Sequence, residues 1–321
     1  MDALSEVLRA MRLSGGVFLR ATFTEPWCLE TAATPGGCSQ HLGPTDHLIL
    51  YHYVQEGVLS VDLADGGRIT VQPGEAAVFP RNDQHRMRGA EAAPPVSSLD
   101  VAQTGKPGDL MTIDLGGGGR VTRVVCGFLG GPGLSDDPLL TSLPEVLVYD
   151  GQRAHSGPMV HELLQYAADE VASDRQGAAA MLARLSELLF IEAVRAHVEA
   201  LPADARGWLA ALRNPRLARA IGLLHVQPER NWTAAQLGRE AGMSRSSLTQ
   251  QFGQVLGCTP AGYLSDLRMR LAARELAATD APIQAIAARI GFGSEAAFSR
   301  AFKRRYDVPP SQWRRNADLS S

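Results

Sequence analysis

Two stretches near the carboxyl end follow one plan, and this repetition constrains the fold more than any other feature. "WTAAQLGREAGMSRSSLTQQFGQVLGCTPAGYL" spans 232–264, and "APIQAIAARIGFGSEAAFSRAFKRRYDVPPSQWR" spans 281–314. Each reads as a helix, a glycine-bearing turn, a second helix, then a proline-bearing loop and an aromatic. In the first copy Thr233 is placed to cap a helix holding Leu237 and Ala241, Gly242 suits a left-handed turn, and Ser244 caps the second helix. In the second, Ile283, Ile286, Ala287 and Ile290 make the apolar face, Gly291 ends the helix, and Ser294 caps its successor. Small residues at Ala235, Ala241, Ala285 and Ala287 would let short helices cross closely. The pattern is that of a helix-turn-helix, whose second helix enters the DNA major groove.

In this reading Phe252, Phe298 and Phe302 anchor the second helices from beneath. Their opposite faces are then free: Arg245, Ser246, Thr249 and Gln250 in one, Glu295, Ala296, Ser299, Arg300, Lys303 and Arg304 in the other. Arg and Gln can read base edges in pairs of hydrogen bonds, whereas Ser, Thr and Lys mostly hold phosphates. "PAGYLSDLRMRLAARELAATD" (260–280) supplies a spacer helix, with Leu264, Leu267, Leu271 and Leu276 facing both units. Charge supports the same destination. From Gly207 onward there are 16 Lys and Arg against 8 Asp and Glu, while the preceding residues hold 15 against 26. A basic end on an acidic body is the outline of a nucleic-acid module joined to something else.

Residues 208–316 resemble the DNA-binding domain of the AraC/XylS family, and "IAARIGFGSEAAFSRAFKRRYDVPPSQWR" follows that family's signature nearly position by position. The resemblance implies two helix-turn-helix units reading successive major grooves. It places base contacts on Ser246, Thr249 and Gln250, and on Ala296, Ser299 and Arg300. Ser246 and Ala296 are short, so Arg245, Gln250 and Arg300 are expected to carry most direct readout, with DNA shape supplying the remainder.

The first half has a different texture. From about 17 to 150, short apolar runs are broken by Gly, Pro and Asp, as in a β-sandwich or small barrel. Asp65-Gly66-Gly67 between two alternating segments signals a hairpin, and Pro73-Gly74 signals another. Residues 91–109 and 115–120 read as loops. "PMVHELLQYAADEVAS" and "GAAAMLARLSELLFIEAVRAHVEAL" are helical by apolar spacing, parted by Gly177. They would either cap the β domain or form a dimer interface. The expected class is therefore α+β: a β-barrel or sandwich with flanking helices, then an all-α domain. Expected boundaries are 1–155, 156–205, 206–316 and a tail at 317–321. No run of 18 uncharged apolar residues exists, and the amphipathic amino-terminal helix carries acids and lacks the long apolar stretch of a signal peptide, so a cytoplasmic protein is expected. The four cysteines at 28, 38, 126 and 258 fit a reducing compartment.

"YHYVQEG" (51–57), "VQPGEAAVFPRNDQH" (71–85) and "RVVCGFL" (123–129) resemble the cupin-type sensory domain joined to some AraC-like regulators. The His-x-His and following Glu of metal-dependent cupin enzymes are absent in order; only His47 and His52 stand near. That weighs against a dioxygenase or isomerase, the rival reading, which needs a facial set of ligands with open positions. His52, on a face with Leu50 and Val54, should point inward. His85 closes the second box, and Cys126 lies between Val124 and Phe128. Imidazole and thiolate together suit zinc, with a fourth ligand from Cys38, His41 or water. Two alternatives stay open: an organic effector touching the same residues, or histidines satisfied by backbone beside a cysteine packed as a small hydrophobe. Cys258 is expected to be buried. The implied partners are double-stranded promoter DNA and an effector, with RNA polymerase and a second copy of the chain as candidates, and no membrane.

Overall fold

Strict alternation along "HLILYHYV" settles the core of the first half. Leu48, Leu50, His52 and Val54 face one way, and Ile49, Tyr51 and Tyr53 the other. A computed structural model describes residues 3–11, 13–31, 33–34, 42, 45–103, 111–131, 134–135, 137–151, 157–172 and 176–318. Eleven strands are present among them: β1 (Ser14–Thr24), β2 (Cys28–Glu30), β3 (His47–Glu56), β4 (Leu59–Asp62), β5 (Arg68–Val71), β6 (Glu75–Phe79), β7 (Arg86–Arg88), β8 (Val96–Ser97), β9 (Met111–Gly116), β10 (Val121–Gly131) and β11 (Leu147–Asp150). They form a six-stranded sheet in the order β11-β6-β3-β10-β1-β9 and a five-stranded sheet in the order β5-β4-β7-β2-β8. Inward residues of both sheets make one apolar cluster, with Phe23, Leu48, Leu50, Val54 and Phe79 from one and Leu29, Leu59, Val61 and Met87 from the other. This is two-layer β packing around a shared core.

The helices are α1 (Ala3–Met11), α2 (Ser98–Val101), α3 (Pro138–Ser142), α4 (Gly157–Ala172), α5 (Ala178–Ala200), α6 (Trp208–Leu212), α7 (Pro215–Val226), α8 (Ala234–Ala241), α9 (Arg245–Gln251), α10 (Pro260–Ala278), α11 (Ile283–Arg289), α12 (Glu295–Tyr306) and α13 (Pro310–Asp318). The outward tyrosines of β3 explain α4 and α5. The Tyr51 hydroxyl lies 2.8 Å from Ser186 Oγ on α5, Tyr53 is hydrogen-bonded to His161 on α4, and Gln55 donates to Gln165 at 2.9 Å. The two helices thus cover the outer face of the six-stranded sheet, the first of the two roles expected of them.

The structure departs from the sequence-based expectation at several points. The Asp65-Gly66-Gly67 turn does join the paired strands β4 and β5. The Pro73-Gly74 turn does not close a hairpin: β5 pairs in the five-stranded sheet and β6 with β3 and β11 in the other, so the turn carries the chain between sheets. Within 91–109, β8 and α2 interrupt the expected loop, and β9 extends to Gly116.

The chain divides into two compact units; their boundary at His197/Val198 lies near the expected 205/206 cut, whereas two amino-terminal segments join the carboxyl-terminal unit. One comprises Met1–Arg12, Pro132–Ser142 and Val198–Ser321; the other comprises Leu13–Gly131 and Leu143–His197. In the first, α1 lies against α7 and α3 against α6. Val7, Met11, Leu134, Leu139 and Leu140 are all buried there. Asp137 pairs with Arg274 of α10 at 2.5 Å, both side chains largely shielded. Apolar spacing finds such helices but does not name what they bury against, which is why a linear cut missed them.

Candidate nucleic-acid interface and barrel interior

The first reading pair begins with a capping box. The Thr233 hydroxyl accepts from Gln236 N–H while the Gln236 side chain accepts from Thr233 N–H, satisfying two otherwise orphaned donors. Gly242 closes α8 at φ +73°. Gly238, which sequence reasoning passed over, is the point of closest approach: a Cβ there would stand 2.8 Å from the Met243 carbonyl oxygen. Ala235 and Ala285, expected at the crossing, are exposed instead; Ala241 and Ala287 are buried. Ser244 then caps α9 by accepting from Ser247 N–H. Leu248 and Phe252 point into the core, leaving Arg245, Ser246, Thr249 and Gln250 exposed. The Thr249 hydroxyl is engaged with the Arg245 carbonyl, and Ser246 with Ser244.

The second pair repeats the construction. Ile286, Ala287 and Ile290 are buried, and Gly291 (φ +84°) has no room for a side chain, since a Cβ would meet Glu229 O at 2.4 Å. Ser294 caps α12 by accepting from Ala297 N–H. Phe298 and Phe302 are fully buried, with ring centroids 5.5 Å apart, and Phe302 lies 5.8 Å from Trp313. Glu295, Ala296, Arg300, Lys303 and Arg304 are exposed; Ser299 is half-buried. Arg305 is different from its two neighbours, because it pairs with Asp266 at 2.9 Å. No ion pair to a described residue engages Arg245, Arg300, Lys303 or Arg304, whereas Arg230, Arg289 and Arg305 each have one.

Helix α10 fixes both pairs on one support. Leu264, Leu267, Met269, Ala272, Ala273 and Leu276 are buried along it, and Leu271 partly so. Arg268 reaches three successive carbonyls ahead of the first pair, Pro228, Glu229 and Arg230, at 2.6, 3.2 and 3.1 Å. Cys258, before this helix, is half-exposed rather than buried.

In the barrel, β3 and β10 place His52 directly opposite Cys126. Cys126, His52 and His85 are 8%, 4% and 2% exposed. His52 Nδ1 stands 3.0 Å from Cys126 Sγ, and His52 Nε2 stands 2.7 Å from His85 Nε2. His85 Nδ1 lies 2.8 Å from the Asp83 carbonyl oxygen, and its ring stacks on Phe79 at 3.6 Å. These contacts permit a single proton assignment with neutral rings. The Asp83 carbonyl can only accept, so His85 Nδ1 carries a proton and its Nε2 accepts. His52 Nε2–H therefore donates to His85, its Nδ1 accepts, and the Cys126 thiol donates to it. Burial agrees: it drives the His52 pKa well below its usual value and that of His85 down to about 4, and pushes the Cys126 thiol up.

The three residues expected to ligate zinc are thus brought together, but as a row. The two nitrogens of His52 face opposite ways, so one ion cannot take Cys126, His52 and His85 without that ring turning. Among the described residues no group of three or more His, Cys, Asp or Glu is arranged to hold a metal ion. Cys38 and His41 lie outside the described residues. No helix among the described residues is long and apolar enough to cross a membrane.

Comparison with known proteins addresses both halves. Residues 2–199 match the family model described as Cupin, and residues 237–316 match that of a Helix-turn-helix domain. The HTH-type transcriptional regulator AlkR of Acinetobacter baylyi is 28% identical over 325 residues, spanning 99% of this chain and 100% of that protein. A putative AraC-like transcription regulator of Streptomyces lividans is 35% identical over 198 residues, 60% of this chain and 64% of its own length. A crystal structure of an AraC-type regulator from Chromobacterium violaceum aligns at 28% identity over 33% of this chain and 94% of that one, with a TM-score of 0.32.

Proposed function

The chain belongs to the AraC-type transcriptional regulators that carry a cupin domain, and we propose that α9 and α12 are its two readers of duplex promoter DNA. Arg245, Ser246, Thr249 and Gln250 would serve the first reader, and Ala296, Ser299, Arg300, Lys303 and Arg304 the second. The observation that carries this reading is the pair of second helices, each pinned from beneath by phenylalanine, presenting arginines that no described carboxylate engages. Arg245 and Arg300 reach base edges, because a guanidinium matches two acceptors of guanine at once. Lys303 and Arg304 neutralise phosphates, which makes affinity fall steeply with salt. Ala296 allows close approach of α12 without adding a donor.

The cupin domain receives the signal. Its effector acts by favouring one arrangement of the chain through differential affinity, and the polar row inside the barrel is the place where such an effector would meet chemistry rather than hydrocarbon. A regulatory role is supported by the full-length relative, which is a regulator, and by a sequence in which the His-x-His and following Glu of the metal-dependent enzymes do not occur in order.

Fluorescence anisotropy with duplexes selected from a randomised library tests the assignment. Arg300→Ala is expected to cost ~1–3 kcal/mol on the selected site and to relax preference at one base pair. Arg304→Ala should weaken all duplexes alike and flatten the salt slope. Unchanged selectivity in Arg300→Ala removes that residue from direct readout.

A further inference from the structure

The core of a small β domain is ordinarily filled with hydrocarbon, and three polar side chains in its centre need a reason. A buried polar group left without a partner forfeits its solvation with nothing in return, so Cys126, His52 and His85 are tolerable only as a complete hydrogen-bonded row. The row has the form that activates a nucleophile: a thiol in hydrogen-bond reach of an imidazole, whose far nitrogen is oriented by a third group. Cys126 packs in the apolar core as a small hydrophobe does, but packing alone does not call for an imidazole at its sulfur. Here the sulfur is 3.0 Å from the one unprotonated nitrogen of His52.

We propose that Cys126 is a nucleophilic modification site, with His52 as its base and His85 as a positioning residue, and that its reagent is a small uncharged hydroperoxide. The inference rests on the barrel being the receiver of the signal and states what it receives. Exposure of 8% at Cys126 restricts the reagent to a few atoms, and the apolar surroundings exclude an ion, whose desolvation nothing here offsets. A peroxide also matches the proton path. Cys126 Sγ attacks one peroxide oxygen, and the S–O bond forms as the O–O bond breaks. Because burial disfavours both a thiolate and an imidazolium here, the thiol proton moves to His52 Nδ1 and on to the departing oxygen in step with the attack, and that oxygen leaves as water or an alcohol. Sulfur is oxidised to the sulfenic acid, the peroxide is reduced, and the imidazoles end neutral as they began. The bond from His52 Nε2–H to His85 keeps Nδ1 turned toward sulfur throughout. An alkyl halide, by contrast, leaves no oxygen to take that proton back.

The test is to treat the purified full-length protein with hydrogen peroxide, trap sulfenic acid with dimedone, and map the adduct by mass spectrometry. Cys126 is expected to be labelled at least tenfold faster than Cys28 or Cys258, and Cys126→Ser to abolish that adduct. His52→Leu should slow it at least tenfold. His85→Leu should slow it as well, while His85→Gln, whose side-chain oxygen can accept from His52 Nε2–H, restores most of the rate at a similar melting temperature. Labelling confined to other cysteines overturns the proposal, as does a Cys126 rate indifferent to His52, or a tightly held zinc ion that blocks labelling. If the histidine variants fail to fold, the ratio of Cys126 to Cys28 labelling in the unaltered protein decides. Anisotropy on the same samples separates the two readings. Specific DNA binding with Cys126 unlabelled defeats this inference alone; labelling without DNA affinity defeats the regulator assignment alone.

Discussion

The reading unit and the barrel treat polar side chains in opposite ways. Around α9 and α12, Arg245, Arg300, Lys303 and Arg304 stand on the surface with no ion pair to a described residue, above a floor of phenylalanine and leucine. Inside the barrel, imidazole and thiol sit within the hydrocarbon, neutral and fully engaged with one another. The first arrangement suits a long anionic partner that arrives from solvent and brings its own counter-charge. The second suits a small visitor whose effect depends on protons already in place. One chain therefore holds a displayed chemistry and a concealed one, and each has its own way to fail.

The sharpest break of this comparison lies under the displayed face. Phe302→Ala should remove ~3–5 kcal/mol of unfolding free energy, read by denaturant titration, because the ring meets Phe298, Tyr306 and Trp313 with no solvent exposure. A loss below ~1 kcal/mol would show that the reader does not rest on that floor. In the barrel, His52→Leu adds hydrocarbon yet is expected to destabilise by ~1–3 kcal/mol, since it strands the Cys126 donor and the His85 acceptor together. A more stable His52→Leu protein would mean the row is not engaged as described. The reading unit also conceals one imidazole, and acid tests it. Tyr263 accepts from Trp208 Nε1–H, and its hydroxyl is also hydrogen-bonded to His225 Nε2 at 2.8 Å. Burial first, then Arg270 and Arg274, hold the His225 pKa at about 3 against an ordinary 6.5. The unfolded chain thus takes up the proton first, and the contribution to stability, whole above pH 6.5, declines as pH falls toward 3. Melting temperatures between about pH 7 and pH 4 should drop, and less so in His225→Gln. Smallest is Thr233→Ala, which removes the cap of α8 and is expected to cost ~1 kcal/mol, visible as a modest shift in the denaturant midpoint.

The displayed chemistry was legible in the sequence and the concealed chemistry only in part, for a physical reason. Caps, left-handed glycines and the phenylalanine floor are written in local spacing, and Thr233, Ser244, Ser294, Gly242, Phe252, Phe298 and Phe302 all stand where spacing puts them. The inward turn of His52 followed from strand alternation in the same way. What alternation cannot give is the rotation of a ring about its own bond, and that rotation makes a row of three groups that composition suggests as a zinc site. Turn residues were equally silent about destination: Pro73-Gly74 announces a reversal, but which sheet receives the next strand depends on partners far along the chain. Gly238 left a faint signal, a small residue beside Leu237 at the position that Ala287 holds beside Ile286 in the other copy.

The winding path of the backbone has a practical sequel for anyone wishing to excise the reading half. A polypeptide begun at Val198 would lack both α1 and the Pro132–Ser142 loop-helix. The seats of Val7, Met11, Leu134, Leu139 and Leu140 would stand vacant, and Arg274 would lose its carboxylate. Such a truncate would be sticky and short-lived, and adding the two missing peptides should rescue it.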